Sequence, residues 1–356
     1  MQNAQRGVDA QDIERDDPRV AAESESSKSA EEAITPGVLS GRLEGNIESH
    51  GRSLSELYEL EFTQLEAGET RMEVDFAATP SSIVYRECYD SGTFALGSLK
   101  EQKFALAIPV MERGTRWWGQ EREGSLVPSS VSGELIDVRF APGHRHMVMV
   151  LEHAKLQQAL VKADFSDEAI RSIEFGREHR MMKFHDDSLR HLSGKLAETI
   201  DAAVRGRHMV SGEELDRLLL GAALAILDHG PAEGMTPGGK RQLVQRAIEV
   251  HDRMKIFPNV MTLCTELHVR PRTLQAAFQK SIGIGPHRFF QLRRLNEAKR
   301  RLEIGQVGES SVKEIALGLG FRELGRFAVR YRELFGELPS ETLRKRGAVT
   351  IVGIAR

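Results

Sequence analysis

Cysteine and tryptophan are both scarce in this chain, with two of each among 356 residues. Cys88 and Cys264 are too few for a disulfide framework, so the sequence predicts a protein of the reducing cytoplasm. The longest apolar stretch of the helical half, Leu218 to Leu227, is well short of the roughly 18 residues of a membrane-spanning helix. No leader of basic, apolar and small residues opens the sequence, which predicts that the chain is not exported.

The first 35 residues are rich in Asp, Glu, Ser, Gln and Ala, and large apolar side chains are almost absent from them, most clearly between Ala21 and Glu32. Such a segment buries too little apolar surface to offset its conformational entropy. We therefore expect a disordered acidic tail over residues 1–45.

The pattern of apolar residues then changes twice along the chain. Residues 46–152 contain short apolar runs, several of them alternating with polar residues, which predicts a β-rich domain in the form of a small barrel or sandwich. Residues 153–230 have helical periodicity and predict a helical layer. A linker is expected at residues 231–240, which include Pro237, Gly238 and Gly239, before a domain at 241–346 and a tail at 347–356.

One apolar stripe of the helical layer has two interpretations. Leu189, Leu192, Leu196 and Ile200 lie on a single helical face. They form either part of the chain's own core or a dimer interface.

A pattern near the C-terminus repeats with an offset of 53 residues. In each copy two large apolar residues lie four apart, and a glycine and a proline then mark the end of a helix. A short helical segment precedes each copy, Met261 to Leu267 in the first and Val312 to Leu319 in the second. The repeat therefore predicts two helix-turn-helix units. The repeated residues are Leu274, Phe278, Gly283 and Pro286, which return as Phe327, Tyr331, Gly336 and Pro339.

Basic residues are concentrated in the same part of the chain. Residues 241–356 contain 22 Lys plus Arg against 11 Asp plus Glu, whereas the whole chain has 49 against 52. The first 240 residues therefore carry 27 against 41, a net charge of −14 beside +11 for the rest. Such asymmetry favours double-stranded DNA as the partner of the basic part.

The second helix of each unit is expected to read bases in a major groove, because its outer face carries side chains suited to base edges. Arginine pairs with guanine, glutamine pairs with adenine, and alanine contacts the methyl group of thymine. The predicted DNA-binding residues are Arg270, Arg272, Thr273, Gln275, Ala276, Gln279 and Lys280 in the first unit, and Arg322, Glu323, Leu324, Arg326, Ala328, Arg330 and Arg332 in the second.

A continuous helix is predicted between the units, from Arg288 to Leu302. One of its faces is apolar, and basic residues occupy the rest. We expect it to be a stiff cationic spacer that holds the two reading helices about one turn of DNA, roughly 34 Å, apart. The basic residues are Arg293, Arg294, Lys299, Arg300 and Arg301.

Residues 247–346 resemble the DNA-binding domain of the AraC/XylS family of bacterial transcription regulators. The resemblance is carried by Arg272-Thr273-Leu274, Arg294-Leu295, Ile315-Ala316, Gly320-Phe321 and Phe335-Gly336 in this order and spacing. It implies major-groove contacts by the helices that begin near Arg270 and Glu323, and RNA polymerase as a partner. Where the family usually has a turn glycine and a helix-capping serine, this chain has His268 and Arg270.

The same resemblance implies an N-terminal cupin-like β-barrel that binds a small-molecule effector or forms a homodimer. The expected fold class is thus α+β, with that barrel, a helical dimerisation layer, and an all-α C-terminal domain of two helix-turn-helix units. Candidate effector-binding residues are Trp117, Trp118, His144 and His146. No cofactor, metal or catalytic residue is expected.

Two other functions stay open at this point. His144 and His146, with Glu152 or His153, could hold a metal ion, which would make the chain a cupin-type enzyme with a DNA-binding tail. A non-specific architectural DNA-binding protein is the other alternative, although the base-reading side chains disfavour it.

Overall fold

Strands dominate the first half of the chain and helices the second, so the fold is mixed α/β with N-terminal sheets and C-terminal helices. Among the described residues, no helix is long and apolar enough to cross a membrane. The computed structural model describes residues 38–111, 113–121, 125–174, 180–206, 210–230, 232, 239–254, 257–305, 311–345 and 350–355.

The strands form two antiparallel sheets. An eight-stranded sheet has the order β12-β9-β6-β11-β4-β3-β1-β13, and a five-stranded sheet has the order β2-β5-β10-β7-β8. Their bounds are β1 (Leu39–Gly45), β2 (Tyr58–Gln64), β3 (Met72–Ala78), β4 (Ser82–Tyr89), β5 (Thr93–Leu99), β6 (Lys103–Met111), β7 (Arg116–Trp117), β8 (Gln120–Glu121), β9 (Leu126–Val131), β10 (Leu135–Phe140), β11 (His144–Glu152), β12 (Arg180–Lys183) and β13 (Thr350–Ala355).

The two sheets do not close into the expected cupin-like barrel. No strand pairing joins them within the described part of the chain. Closure requires hydrogen bonds between the edge strands, and the alternation of apolar and polar residues that predicts a strand says nothing about what its edge will pair with. Large aromatic side chains, including Tyr85 and Trp117, fill the core that the two sheets share.

The helical layer packs on the N-terminal domain's own sheet. Its helices are α2 (His153–Lys162), α3 (Asp167–Ser172), α4 (Asp186–Arg205) and α5 (Gly212–Asp228), and α1 (Ile47–Ser53) precedes β2. Leu196 and Ile200 of the predicted stripe are completely buried, in one core with Val84 and Leu106 of the eight-stranded sheet. The stripe therefore serves the chain's own core, and the proposed dimerisation layer has no support in this packing.

Two strands lie in segments that the sequence assigns to tails. β1 falls within residues 1–45, and it pairs with β3 on one side and β13 on the other. β13 falls within residues 347–356. Leu39 and Leu43 are the only large apolar residues of β1, so composition did not reveal it, and the strand partners that order β1 and β13 lie elsewhere in the sequence. Residues 1–37 of the expected acidic tail, and residues 231 and 233–238 of the expected linker, lie outside the described residues.

Seven helices of the described C-terminal half share one apolar core. They are α6 (Gly239–Arg253), α7 (Val260–Glu266), α8 (Pro271–Ser281), α9 (Pro286–Ile304), α10 (Val312–Gly318), α11 (Leu324–Phe335) and α12 (Pro339–Arg344). The long helix predicted between the repeats corresponds to α9. Leu65 and Phe94 of the β-rich domain also belong to this core, and the Phe94 ring meets the Phe289 ring edge to face with centroids 5.4 Å apart. The helical core therefore includes part of the N-terminal domain.

Helix α9 lies along the free edge of β2. The Asn296 side chain accepts a hydrogen bond from the Gln64 backbone N–H at 2.9 Å and donates one to the Gln64 carbonyl at 3.2 Å. Gln64 is completely buried and Asn296 is 5% exposed. One amide side chain thus takes the place that a neighbouring strand would otherwise occupy.

We predict that Asn296→Ala destabilises the folded chain by about 1–3 kcal/mol, because both backbone groups of Gln64 lose their partner in a buried place. Chemical denaturation of the full chain measures this change. Arg288→Ala, an exposed position of the same helix, is the matched control and should change the unfolding free energy by less than about 0.5 kcal/mol. Equal losses in the two variants would contradict the role given to Asn296.

Candidate nucleic-acid interface

The first pair of helices, α7 and α8, has the geometry of a helix-turn-helix unit. Asn259 caps α7 by accepting a hydrogen bond from the Thr262 N–H, and Pro271 occupies the first turn of α8. Leu274 and Phe278 are completely buried on the inner side of α8. The chain therefore holds α8 by one face and leaves the opposite face outside.

The turn of this unit carries local strain. His268 has a φ of 53°, in the left-handed region that favours glycine. Arg270 is the N-cap of α8, and its side chain makes no capping hydrogen bond. At His268 and Arg270, two of the positions at which the sequence departs from the AraC/XylS pattern, the structure thus has a strained turn and an uncapped helix start.

All seven residues predicted to bind DNA in the first unit are exposed, but they are not equally free. The Gln279 side chain donates a hydrogen bond to the Gly283 carbonyl at 2.8 Å. The Gln275 amide lies so close to the Gly285 backbone that a Cβ on that glycine would be 2.6 Å from Gln275 Nε2. Gln275 and Gln279 are therefore engaged within the unit, whereas Arg272, Thr273 and Ala276 present open side chains in the first two turns of α8.

The second pair of helices, α10 and α11, repeats the arrangement. Ser311 and Glu314 form a capping box at the start of α10, and Phe327 and Tyr331 anchor α11 in the core. Five of the seven predicted residues are exposed, whereas Leu324 and Ala328 are partly buried. Leu324 packs against the helical core, so it is less suited to a base contact than its helix position suggests. The five are Arg322, Glu323, Arg326, Arg330 and Arg332.

One residue on this helix was not selected from the sequence. Val329 is 58% exposed although it is apolar, and it lies between Ala328 and Arg330. The signal that could have identified it is its helical position, two residues from each of the buried anchors Phe327 and Tyr331. A branched apolar side chain there is suited to contact with a thymine methyl group.

The candidate effector residues lie together in the β-rich domain. A cavity of about 50 Å³ between the two sheets is lined by Trp117, His146 and Glu87 together with mostly aromatic and aliphatic side chains. Trp118 is buried beside Trp117, and His144 lies behind His146, with His144 Nε2 2.8 Å from His146 Nδ1. Two of the four candidates therefore line the cavity and two support its wall.

A buried carboxylate holds this histidine cluster. Glu87 lies 2.9 Å from Nε2 of both His50 and His146. Burial alone would raise the pKa of Glu87, but His146 and His50 outweigh it and hold that pKa well below its usual range. Within the described residues, no group of three or more His, Cys, Asp or Glu is arranged to hold a metal ion. The ring nitrogens that the metal hypothesis requires are engaged with Glu87 and with each other.

Residues 263–345 match a protein family described as a helix-turn-helix domain. Over 97 residues the chain is 38% identical to XylDLEGF operon transcriptional activator 3 of Pseudomonas putida, and over 76 residues it is 45% identical to activator 1 of the same operon. The C-terminal domain belongs to the AraC/XylS type. A third relative is the probable thc operon regulatory protein of Rhodococcus erythropolis, which is 35% identical over 97 residues.

The similarity to these relatives spans less than a third of this chain and less than a third of each relative. The matched segments cover 27%, 21% and 27% of this chain, and 29%, 23% and 29% of the three relatives. A solved AraC-type DNA-binding domain from Chromobacterium violaceum is 24% identical and covers 30% of this chain and 95% of its own, with a TM-score of 0.28. At that TM-score the likeness adds nothing to the assignment of the fold. The family expected from the sequence is confirmed for the C-terminal domain.

The cationic spacer of the AraC/XylS-type domain differs from the prediction. Arg293 and Lys299 are 8% and 6% exposed, because the N-terminal domain covers them. Arg293 donates to the Glu61 carboxylate and, at 2.8 Å, to Asp252. Periodicity placed these residues outside the helical core correctly, but it could not show that another domain lies against that side.

The remaining basic residues of the spacer pair with Glu297 of the same helix or pack between aromatic rings. Arg300 and Arg301 are exposed and pair with Glu297 one turn earlier. The Arg294 guanidinium lies between the rings of Phe257 and Phe321, 5.5 and 5.3 Å from their centroids. Burial and the nearby Arg330 lower the pKa of Arg294. Most of the charge of the spacer is thus paired within the protein.

Acidic residues of the N-terminal domain are perturbed by the same contact. Lys299 Nζ lies 3.6 Å from Glu48, whose side chain is 6% exposed. Burial raises the pKa of Glu48 from 4.5 to about 7, against the opposing effect of Lys299, and Glu303 adds to the increase. Between these two values the folded chain holds a proton that the unfolded chain releases, so stability falls as pH rises through this window.

We predict that Glu48→Gln removes this decline, because the glutamine is neutral at every pH. The free energy of unfolding of the wild-type chain should fall by up to about 3 kcal/mol between pH 4.5 and 7 through Glu48, at about 1.4 kcal/mol per pKa unit. Denaturation curves at half-unit pH steps measure the slope for both proteins. Glu333→Gln, an exposed position on α11, is the control and should keep the wild-type slope. An unchanged slope in Glu48→Gln would contradict the assignment.

Proposed function

We propose that this chain is a sequence-specific DNA-binding activator of transcription of the AraC/XylS type. The observation that carries the proposal is the pair of helices α8 and α11, each anchored by buried aromatic residues and each exposing a face rich in Arg, Thr, Gln or Ala. A helix of this kind fits the DNA major groove, and two on one domain can read successive grooves. The basic excess of residues 241–356 supplies attraction to phosphates.

The proposal that this chain activates transcription is based on the proteins to which it is similar. The Pseudomonas putida proteins are named as operon transcriptional activators. By this likeness we propose that the present chain raises transcription, with RNA polymerase as a partner. A homodimer belongs to the same proposal, through a surface other than the buried stripe of α4.

The N-terminal domain is proposed to sense a small molecule. The support is the cavity between its two sheets, whose lining is mostly apolar, includes the Trp117, Tyr58 and Tyr85 side chains, and carries Glu87 and His146 as polar groups. A volume of about 50 Å³ holds only a few atoms. An effector of ordinary size must therefore displace the lining as it enters, which gives the domain a means of responding to it.

The proposed domain organisation follows the change from strands to helices along the chain. Residues 46–152 with the helical layer 153–230 would form the sensing half, residues 231–240 the linker, and residues 241–346 the DNA-binding half. Strand β1 extends the sensing half back to Leu39.

Binding of the full chain to DNA from its own upstream region tests the proposal. Affinity should exceed that for random DNA of equal length and should fall steeply as salt rises, since bound phosphates release counterions. A chain that binds both DNAs equally at every salt concentration would be a non-specific DNA-binding protein, and this outcome would contradict the proposal.

We predict that Arg272→Ala weakens specific binding by about 1–3 kcal/mol and relaxes base preference at one position of the site. Arg272 is exposed in the first turn of α8, and a lost base contact affects only the sequence that offered it. Competition titrations with single-base variants of the site measure the effect. Arg190→Ala is the charge-matched control, because Arg190 lies on α4 of the N-terminal domain and pairs there with Asp187. Equal losses on specific and random DNA would show that Arg272 contacts only phosphate.

A further inference from the structure

The five-stranded sheet separates the cavity from the DNA-binding domain. Successive side chains of a strand point to opposite faces of its sheet. On one face the sheet lines the cavity, with Phe62 of β2, Ala95 of β5, Val138 of β10 and Trp117 of β7. Each of these residues has a neighbour in sequence on the other face. One layer of backbone therefore has the cavity on one side and the helices on the other.

The neighbours on the outer face all contact the helical domain. Glu61 binds Arg293 of α9, and Phe94 packs on Phe289. Asp137 accepts hydrogen bonds from Arg241 and Gln245 of α6 at 2.5 and 2.9 Å. Arg116 donates to the carbonyl groups of Lys280 and Gln279 at 3.0 and 3.3 Å. Each of the four inner residues is thus covalently joined to an outer residue that holds a helix.

The contact made by Arg116 falls at the end of the first DNA-reading helix. The last carbonyl groups of a helix have no partner within it, so an arginine that binds them stabilises its final turn. Gly119 of the same hairpin lies against Ser281, where a Cβ would be 3.0 Å from the hydroxyl oxygen. Gly119 also has a φ of 73°. The β7–β8 hairpin therefore packs tightly against the end of α8.

We propose that the five-stranded sheet couples the occupancy of the cavity to the order of the first helix-turn-helix unit. The coupling runs through the contact of Arg116 with α8 and the contact of Asp137 with α6. This inference rests on the proposed function for its biological meaning, but the coupling is a property of the packing alone. Val138 pairs with Trp117 across β10 and β7, and with Ala95 across β10 and β5. A displacement of this inner cluster moves the backbone that carries Arg116 and Asp137, because closely packed interiors transmit strain.

The decisive experiment compares two Val→Ala changes in the full chain by hydrogen exchange. Val138→Ala loosens the inner face of the sheet, and Val84→Ala removes the same atoms from the core beneath the helical layer. Amides near the end of α8, residues 278–283, should exchange at least about fivefold faster in Val138→Ala and at the wild-type rate in Val84→Ala. Equal acceleration in both variants, or none in Val138→Ala, would overturn the coupling.

A double-variant comparison tests the route. Arg116→Ala removes the contact directly and should accelerate the same amides. Val138→Ala added to Arg116→Ala should then produce less acceleration than it does alone, because the Arg116 contact with α8 is already lost. Independent, multiplicative effects would overturn the route through Arg116.

A second variant fills the cavity instead of enlarging it. It replaces Val138→Ala in the experiment if that variant does not fold. Ala95→Val adds two methyl groups to the cavity and so imitates an occupant. It should change the exchange of residues 278–283 at least about fivefold in either direction, and this change should be smaller in the Arg116→Ala background. An unchanged exchange rate would count against the coupling.

DNA binding separates this inference from the proposed function. If the wild-type chain binds specific DNA, Val138→Ala should lower its affinity at least about fivefold, whereas Val84→Ala should not. Specific binding by wild type with equal affinity in both variants would overturn the coupling alone. Absence of specific binding by wild type would overturn the proposed function, and the exchange measurements would still decide the coupling.

Discussion

The unpaired edge of strand β2 is closed by a side chain of helix α9, and much of the molecule depends on this contact. An exposed strand edge invites pairing with another strand. Here Asn296 satisfies both backbone groups of Gln64, so the five-stranded sheet ends at a helix and the two sheets do not close into a barrel. The same contact fixes α9, from which both helix-turn-helix units extend.

Charge complementarity works at the same surface. The acidic half of the chain supplies Glu48, Glu61 and Asp137, and the basic half supplies Lys299, Arg293 and Arg241 as their partners. Charges as deeply buried as Arg293 and Lys299 are stable only when they are paired, so each pair constrains the relative position of the two halves. Part of the basic excess that attracts DNA in the sequence-based argument is thus used inside the protein. Exposed cations remain on α8 and α11, among them Arg272, Lys280, Arg330 and Arg332.

Features that depend on residues close together in the sequence were predicted correctly, and features that depend on distant residues were not. The duplicated helix-turn-helix units could be predicted because their signals are local: Leu274 and Phe278 lie one turn apart, and Gly283 ends the helix after them. The strand-rich domain and the helical layer were predictable from periodicity for the same reason. Arg293 and Lys299 were misjudged as free surface charges because their partners, Glu61 and Glu48, are more than two hundred residues away in the sequence. The two separate sheets were not predicted, because the alternation of apolar and polar residues in a strand does not determine which strand will pair with it.

The sequence by itself determined the family of the C-terminal domain, the faces of its helices and the excess of positive charge, because each depends on residue type and short spacing. Only the tertiary structure decided which of those charges stay free and which close the interface with the N-terminal domain. It also decided that one sheet has a cavity on one side and the DNA-binding domain on the other. The physical reason is that alternation along a strand specifies two faces, whereas the partner of each face is chosen by the packing of the whole chain.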